Sequence, residues 1–251
     1  MKDDLLISKS LNNLAIHHDV KGDWDKALEI HQQALAIRRR IEDKRGIAFS
    51  LANMGAIEED KGNYNLQKQY SEEALLNIRP TGNKRAEANI INMLAKANLK
   101  LGNTDLGVSY LKEALSIADR IGEIHLQAQS LFSLANFYTG TDDALALEYY
   151  YDAMERLQKI DVIRSKLHAI DNTIRLSANR ISTQNRVKWL CGALKFADNY
   201  NGKDSLSEQL HSLKTTIEPH AYDSACILGQ NLTIDEILSD MLQNREDDND
   251  R

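Results

Sequence analysis

A register of 40 residues repeats along this chain and limits what it can fold into. Ser10 to Arg45 reads SLNNLAIHHDVKGDWDKALEIHQQALAIRRRIEDKR. SLANMGAIEEDKGNYNLQKQYSEEAL from Ser50, IINMLAKANLKLGNTDLGVSYLKEAL from Ile90 and SLFSLANFYTGTDDALALEYYYDAM from Ser130 copy it. A fixed period of this length means one supersecondary unit stacked on itself, because a single copy cannot bury its apolar face alone. Gly22, Gly62 and Gly102 keep the register and are followed by Asp23, Asn63 and Asn103. A left-handed helix stop and then a capping side chain are predicted there, which is the turn of a helical hairpin.

Two helices can lie close only where small residues face each other. Ala15, Gly55, Ala95 and Ala135 repeat in the first helix of each unit, and Ala34, Ala74, Ala114, Ala153 and Ala193 in the second. Leu14, Met54, Leu94 and Leu134 are expected to fill the space between helices, opposite Leu35, Leu75, Leu115, Met154 and Leu194. Only 2 prolines and 4 valines occur in 251 residues, while Ala, Leu, Glu, Lys and Gln are plentiful, so the fold class is all-α.

These residues resemble the tetratricopeptide repeat family in its longer, 40-residue variant, as found in kinesin light chains and bacterial signalling proteins. Leu14, Ala15, Gly22, Trp24, Ala27 and Ala34 stand where that family has its signature; Gln67 and Gly107 replace the alanine expected at the position of Ala27. The resemblance implies an α-solenoid, a right-handed superhelix of antiparallel helix pairs. Residues 1–162 are expected to form four hairpins, 163–203 a degenerate fifth, 204–245 capping helices, and 246–251 a disordered acidic tail. The segment KTTIEPHAYDSACILGQNLTIDEILSDML is also similar to the close of LuxR-type regulators and related signal-transduction ATPases. Its Tyr222, Ala225, Ile227, Leu228, Ile234, Ile237, Leu238 and Leu242 are expected to cover the fifth hairpin. Ser205 with Glu208, and Thr233 with Glu236, read as capping boxes.

The chemistry-bearing motifs are mostly missing. There is no GxxxxGK[ST] for a nucleotide, no HExxH, and no histidine pair at i, i+4, so no cofactor, no metal and no catalytic site are expected. A net charge of −6 lacks the basic stripe that nucleic acid requires. Arg38, Arg39 and Arg40, followed by acids, read as a solvated helix face. Cys191 and Cys226 form no CxxC and read as small buried hydrophobes of a cytoplasmic protein. No apolar run approaches the length of a membrane span.

What remains is a concave groove lined by the first helix of each hairpin. The resemblance maps its positions onto Lys9, Asn12, Asn13 and Ile16, then Phe49, Asn53 and Ala56, then Asn92, Met93, Lys96 and Lys100, then Phe132 and Asn136. A carboxamide offers both donor and acceptor, so Asn13 and Asn53 are candidates to clamp an extended peptide backbone. The expected function is a non-enzymatic peptide- or protein-binding scaffold, the sensor or interaction arm of a bacterial signalling or transcription-regulating system. The alternative is a small-molecule effector domain. Leu5, Leu6 and Ile7 open the first helix with no polar cap, so that end is expected to dock on an upstream domain or a second copy.

Overall fold

The structure, a computed structural model, describes residues 2–177, 181–198 and 200–249. Among these residues there are thirteen α-helices, one short 3₁₀ turn and no strand. The chain divides into two compact units, Met1–Leu126 and Gln127–Arg251.

In the first unit, α1 (Lys2–Val20) pairs with α2 (Trp24–Arg40), α3 (Lys44–Asp60) with α4 (Tyr64–Ile78), and α5 (Lys84–Lys100) with α6 (Thr104–Ile121). The 3₁₀ turn Arg79–Thr81 follows α4, where Pro80 lacks the N–H a helix would need. The alanines of the 40-residue register are fully buried, and Gly55 lets Tyr70 approach. Met54 and Leu94 fill the core as expected, whereas Leu14 is 47% exposed, with no described hairpin stacked on that face of α1.

The hairpin turns take the left-handed conformation at Gly22, Gly62 and Gly102, at φ of 78°, 76° and 81°. Asp23, Asn63 and Asn103 occupy the N-cap positions but make no side-chain cap bond. Each instead reaches five residues back. Asp23 meets His18 Nδ1 at 3.1 Å, Asn63 donates to Glu58 at 2.6 Å and Asn103 donates to Asn98 at 3.2 Å. True caps stand between hairpins, where Asp43 accepts from the Gly46 N–H and Asn83 from the Ala86 N–H.

The second unit contains α7 (Ile124–Tyr138, whose first turn lies before the division), α8 (Asp143–Leu157), α9 (Ile163–Leu176), α10 (Thr183–Leu194), α11 (Lys203–Lys214), α12 (Pro219–Gln230) and α13 (Ile234–Asn249). Tyr151, Met154, Leu167, Ile170, Trp189, Ile237 and Leu238 belong to its core. Helices α10 and α12 cross backbone to backbone: a Cβ on Gly192 would lie 2.7 Å from the Gly229 carbonyl oxygen. Cys191 and Cys226, one at each side of this crossing, are joined by a disulfide with Cα atoms 5.2 Å apart. The expectation of two separate buried thiols is thus corrected, because the close crossing brings together residues 35 apart in sequence.

Three further expectations change. Ile227 and Leu228 do not cover the fifth hairpin but are 61% and 56% exposed, since Ala225 and Gly229 occupy the inner face of α12. Ser205 lies inside α11 rather than at its cap, and its hydroxyl donates to Asp171. The tail expected to be disordered from residue 246 is helical through Asn249; residues 250–251 lie outside the described ones. The Thr233–Glu236 box forms as expected, with Glu236 accepting from the Thr233 N–H at 2.7 Å and Thr233 Oγ1 accepting in return.

Candidate functional site

Within the first unit the face presented by α1, α3 and α5 carries the groove positions. Lys9, Asn13 and Ile16 are exposed on α1. Asn12, one residue from Asn13, turns toward α3 and accepts from Asn53 Nδ2 at 3.3 Å and from Arg38 at 3.4 Å. Asn53 and Ala56 are half-buried, as is Phe49, whose ring lies 5.4 Å from the Arg45 guanidinium carbon. Lys100 is exposed, while Lys96 pairs with Glu59 at 3.6 Å. Asn92 and Met93 are buried. They are withdrawn from the exposed face, and the Met93 carbonyl accepts from Gln67 on α4.

Gln67, where the family has a small residue, is fully buried and ties α4 to both neighbouring first helices. Its Nε2 donates to Glu59 at 2.7 Å and to the Met93 carbonyl at 3.4 Å. Glu59 is therefore held from two sides. Asp19 lies near Asp60, and burial, with Asp60 second, raises its carboxyl above the usual carboxylate range. Asp19 and Asp60 make the last turns of α1 and α3 acidic, while Lys96 and Lys100 stand in the last two turns of α5 and Lys9 lies nearer the middle of α1.

Arg38 corrects the reading of a solvated basic cluster. It is buried, and its guanidinium donates to the Gly46 carbonyl at 2.9 Å and Ser50 Oγ at 2.6 Å. Arg39 and Arg40 do stay exposed, paired with Glu73 and Asp4. Leu35 and Ile47 pack in the same core, so the arginine sits where a register of apolar contacts gave no sign of a cation.

In the second unit Phe132 packs edge-on against His168, with ring centroids 4.9 Å apart. Asn136 is exposed and accepts from the Tyr150 hydroxyl at 2.6 Å. Burial pushes that phenol up to about 12. Asp171 on α9 is a polar node that the sequence reading missed. It accepts from Tyr200 at 3.2 Å, Ser205 at 2.9 Å and Gln209 at 2.6 Å, and so fastens α11 to α9. Its only sequence signal is a carboxylate inside the apolar run Leu167, Ile170, Ile174. A cavity of about 280 Å³ opens between Ile163, Arg164, Leu167, Phe196, Asp198 and Tyr200. Among the described residues no group of His, Cys, Asp and Glu could hold a metal ion, and no helix is long and apolar enough to cross a membrane.

Residues 6–75 match the family described as Tetratricopeptide repeat. These residues are tetratricopeptide repeats. Solved structures extend the likeness of fold well past them. BtubC (BKLC) from P. vanneervenii is 15% identical with a TM-score of 0.59, over 86% of this chain and 89% of that one. A putative kinesin light chain with nearly identical TPR-like repeats from Podosopora anserina is 16% identical with a TM-score of 0.56, over 83% and 95%. A Signal Transduction ATPase with Numerous Domains from Pyrococcus horikoshii, which has a tetratricopeptide repeat sensor, is 18% identical with a TM-score of 0.54. That match spans 94% of this chain but 44% of the ATPase chain. No curated protein matches. The fold is a tetratricopeptide-type α-solenoid with capping helices, and repeats of this kind are protein-interaction scaffolds.

Proposed function

We propose that the first unit binds an extended peptide segment of a partner protein along α1, α3 and α5, without catalysis. The observation that carries this reading is the exposed row Lys9, Asn13 and Ile16, continued by the half-buried Phe49, Asn53 and Ala56. The Asn13 side chain makes no hydrogen bond to the described residues, so its amide is available to a peptide N–H and C=O. Phe49 and Ile16 supply apolar contact, and Lys9 and Lys100 favour acidic side chains at the two sides. In the second unit Phe132 and Asn136 present a similar combination on α7. Likeness to an ATPase with a tetratricopeptide repeat sensor supports a place as the sensor or interaction arm of a cytoplasmic signalling or transcription-regulating system.

The test is a peptide array followed by fluorescence anisotropy on the best binders. Asn13→Ala should weaken binding by about tenfold, the worth of one or two well-made hydrogen bonds. Its melting temperature should stay that of the wild type. Unchanged binding would remove Asn13 from the site, and no peptide bound at all would sink the reading. A small-molecule effector remains the second reading because of the 280 Å³ cavity in the second unit, where an apolar floor of Leu167 and Phe196 meets Arg164. Binding of a small acid that Leu167→Glu abolishes would favour it.

A further inference from the structure

Helix α1 exposes the face that the equivalent helices bury. At about 100° per residue, Asp3, Ile7, Ser10, Leu14, His17 and, just past the helix end, Lys21 form one row. All six are exposed, Ile7 at 49% and Leu14 at 47%. Forty residues on, Ile47, Ser50, Met54 and Ile57 hold the same four middle places on α3, and all are buried. On α5 the same places fall to Glu87, Ile90, Leu94 and Ala97, again all buried. On α3 and α5 this row packs within a stack of hairpins, and on α1 it has no cover from the described chain.

We infer that this face pairs with the same face of a second copy of the chain, α1 against α1, antiparallel. The charges decide the occupant and the direction. The row begins with a carboxylate, Asp3, and ends with an ammonium, Lys21, with only neutral or weakly basic groups between them. A two-fold axis between Ser10 and Leu14 sets Asp3 of each copy against Lys21 of the other, so the ends attract twice. It also sets Ile7 beside His17 and Ser10 beside Leu14. A parallel pair would place Asp3 on Asp3 and Lys21 on Lys21. Such a contact is isologous and closes, which ends the solenoid at a dimer instead of extending it as a filament. The pairing leaves Lys9 and Asn13 free, and so does not depend on what the groove takes.

Sedimentation of the whole chain across a concentration series tests this. The wild type should show a monomer–dimer equilibrium. Leu14→Glu should weaken it by about tenfold or more, since each dimer loses two buried leucines, and circular dichroism should show the helix content unchanged. Asp3→Lys and Lys21→Asp should each dimerise poorly alone, with like charges meeting at both ends. Mixed together they should form a heterodimer, because the two introduced charges, opposite in sign, then meet at one end while native Lys21 meets native Asp3 at the other. A wild type that stays monomeric at high concentration would overturn the inference and assign the face to another protein. Dimers indifferent to Leu14→Glu, or single variants that fail to pair on mixing, would overturn it as well.

Discussion

Arg38 reaches from the last turn of α2 to Ser50 on α3, donating to its hydroxyl at 2.6 Å inside the first unit. The same guanidinium also donates to the Gly46 carbonyl and to Asn12, all three acceptors being neutral. Burial lowers its pKa, opposed by the nearby Asp43.

Three adjacent arginines therefore differ in what they hold. Arg38→Met should destabilise the chain by about 2 kcal/mol, because hydrogen bonds to a charged group are lost and Ser50 is left unpaired in the core. Arg39→Ala and Arg40→Ala give up exposed pairs with Glu73 and Asp4 and should each cost within about 0.5 kcal/mol. Urea melts of the three variants measure the difference. Equal losses in all three would mean that Arg38 is not the fastener its bonds describe.

Much of the fold was legible because the repeat made each position legible several times over. Ala15, Gly55, Ala95 and Ala135 announced a helix–helix contact, and all four are buried. What could not be read were interactions without a counterpart in other copies. Arg38 stands in register with Ile78 and Ala118, so nothing in the pattern signalled a cation there. Asn92 and Met93 are placed in the groove by the family resemblance. Both residues are nevertheless buried, and the Met93 carbonyl is taken by Gln67 from α4. The disulfide was hidden because the pairing depends on how α10 and α12 cross, and glycine spacing alone did not reveal that crossing.

The crossing itself gives a second prediction. A Cβ on Gly229 would lie 1.9 Å from the Lys188 carbonyl oxygen, and both partners are backbone. Gly229→Ala must push α12 away from α10 and should cost about 2 kcal/mol or more. At Gly62 a Cβ meets nothing within 4 Å, and the penalty comes only from its φ of 76°. Gly62→Ala should cost about 1 kcal/mol. The reverse order in denaturant melts would show that the two helices are not packed backbone to backbone.

The disulfide gives a third. Alkylation without reductant should leave Cys191 and Cys226 unmodified by mass, and one disulfide-linked peptide should carry both. Closing a loop of this size stabilises a folded chain by about 4 kcal/mol in the chain-entropy account. Cys226→Ser should lower the melting temperature only when the wild type is kept oxidised. Two freely alkylated thiols in the native, unreduced protein would contradict the pairing.

The last prediction concerns His31, which is fully buried on α2 with neither ring nitrogen hydrogen-bonded. Burial, with Arg38 second, pushes its pKa down from 6.5 to about 4. The folded chain therefore holds this imidazole neutral where the unfolded chain would protonate it. Above pH 6.5 the group adds no pH dependence. As pH falls from 6.5 toward 4 the unfolded state gains a proton that the folded state refuses, and stability declines by about 3 kcal/mol over the window. Burial lowers the His168 pKa as well, so it acts in the same direction and some slope persists in any His31 variant. His31→Leu keeps a similar volume and removes both the titration and the unpaired nitrogens. Thermal melts at pH 7.5 and pH 5 should show the wild type losing clearly more stability than the variant between the two. At pH 7.5 the variant should be at least as stable as the wild type, since an unpartnered buried polar group has been replaced by an apolar one. Parallel declines in the two proteins would mean that His31 finds a proton-binding partner or water in solution, and the burial argument would fail.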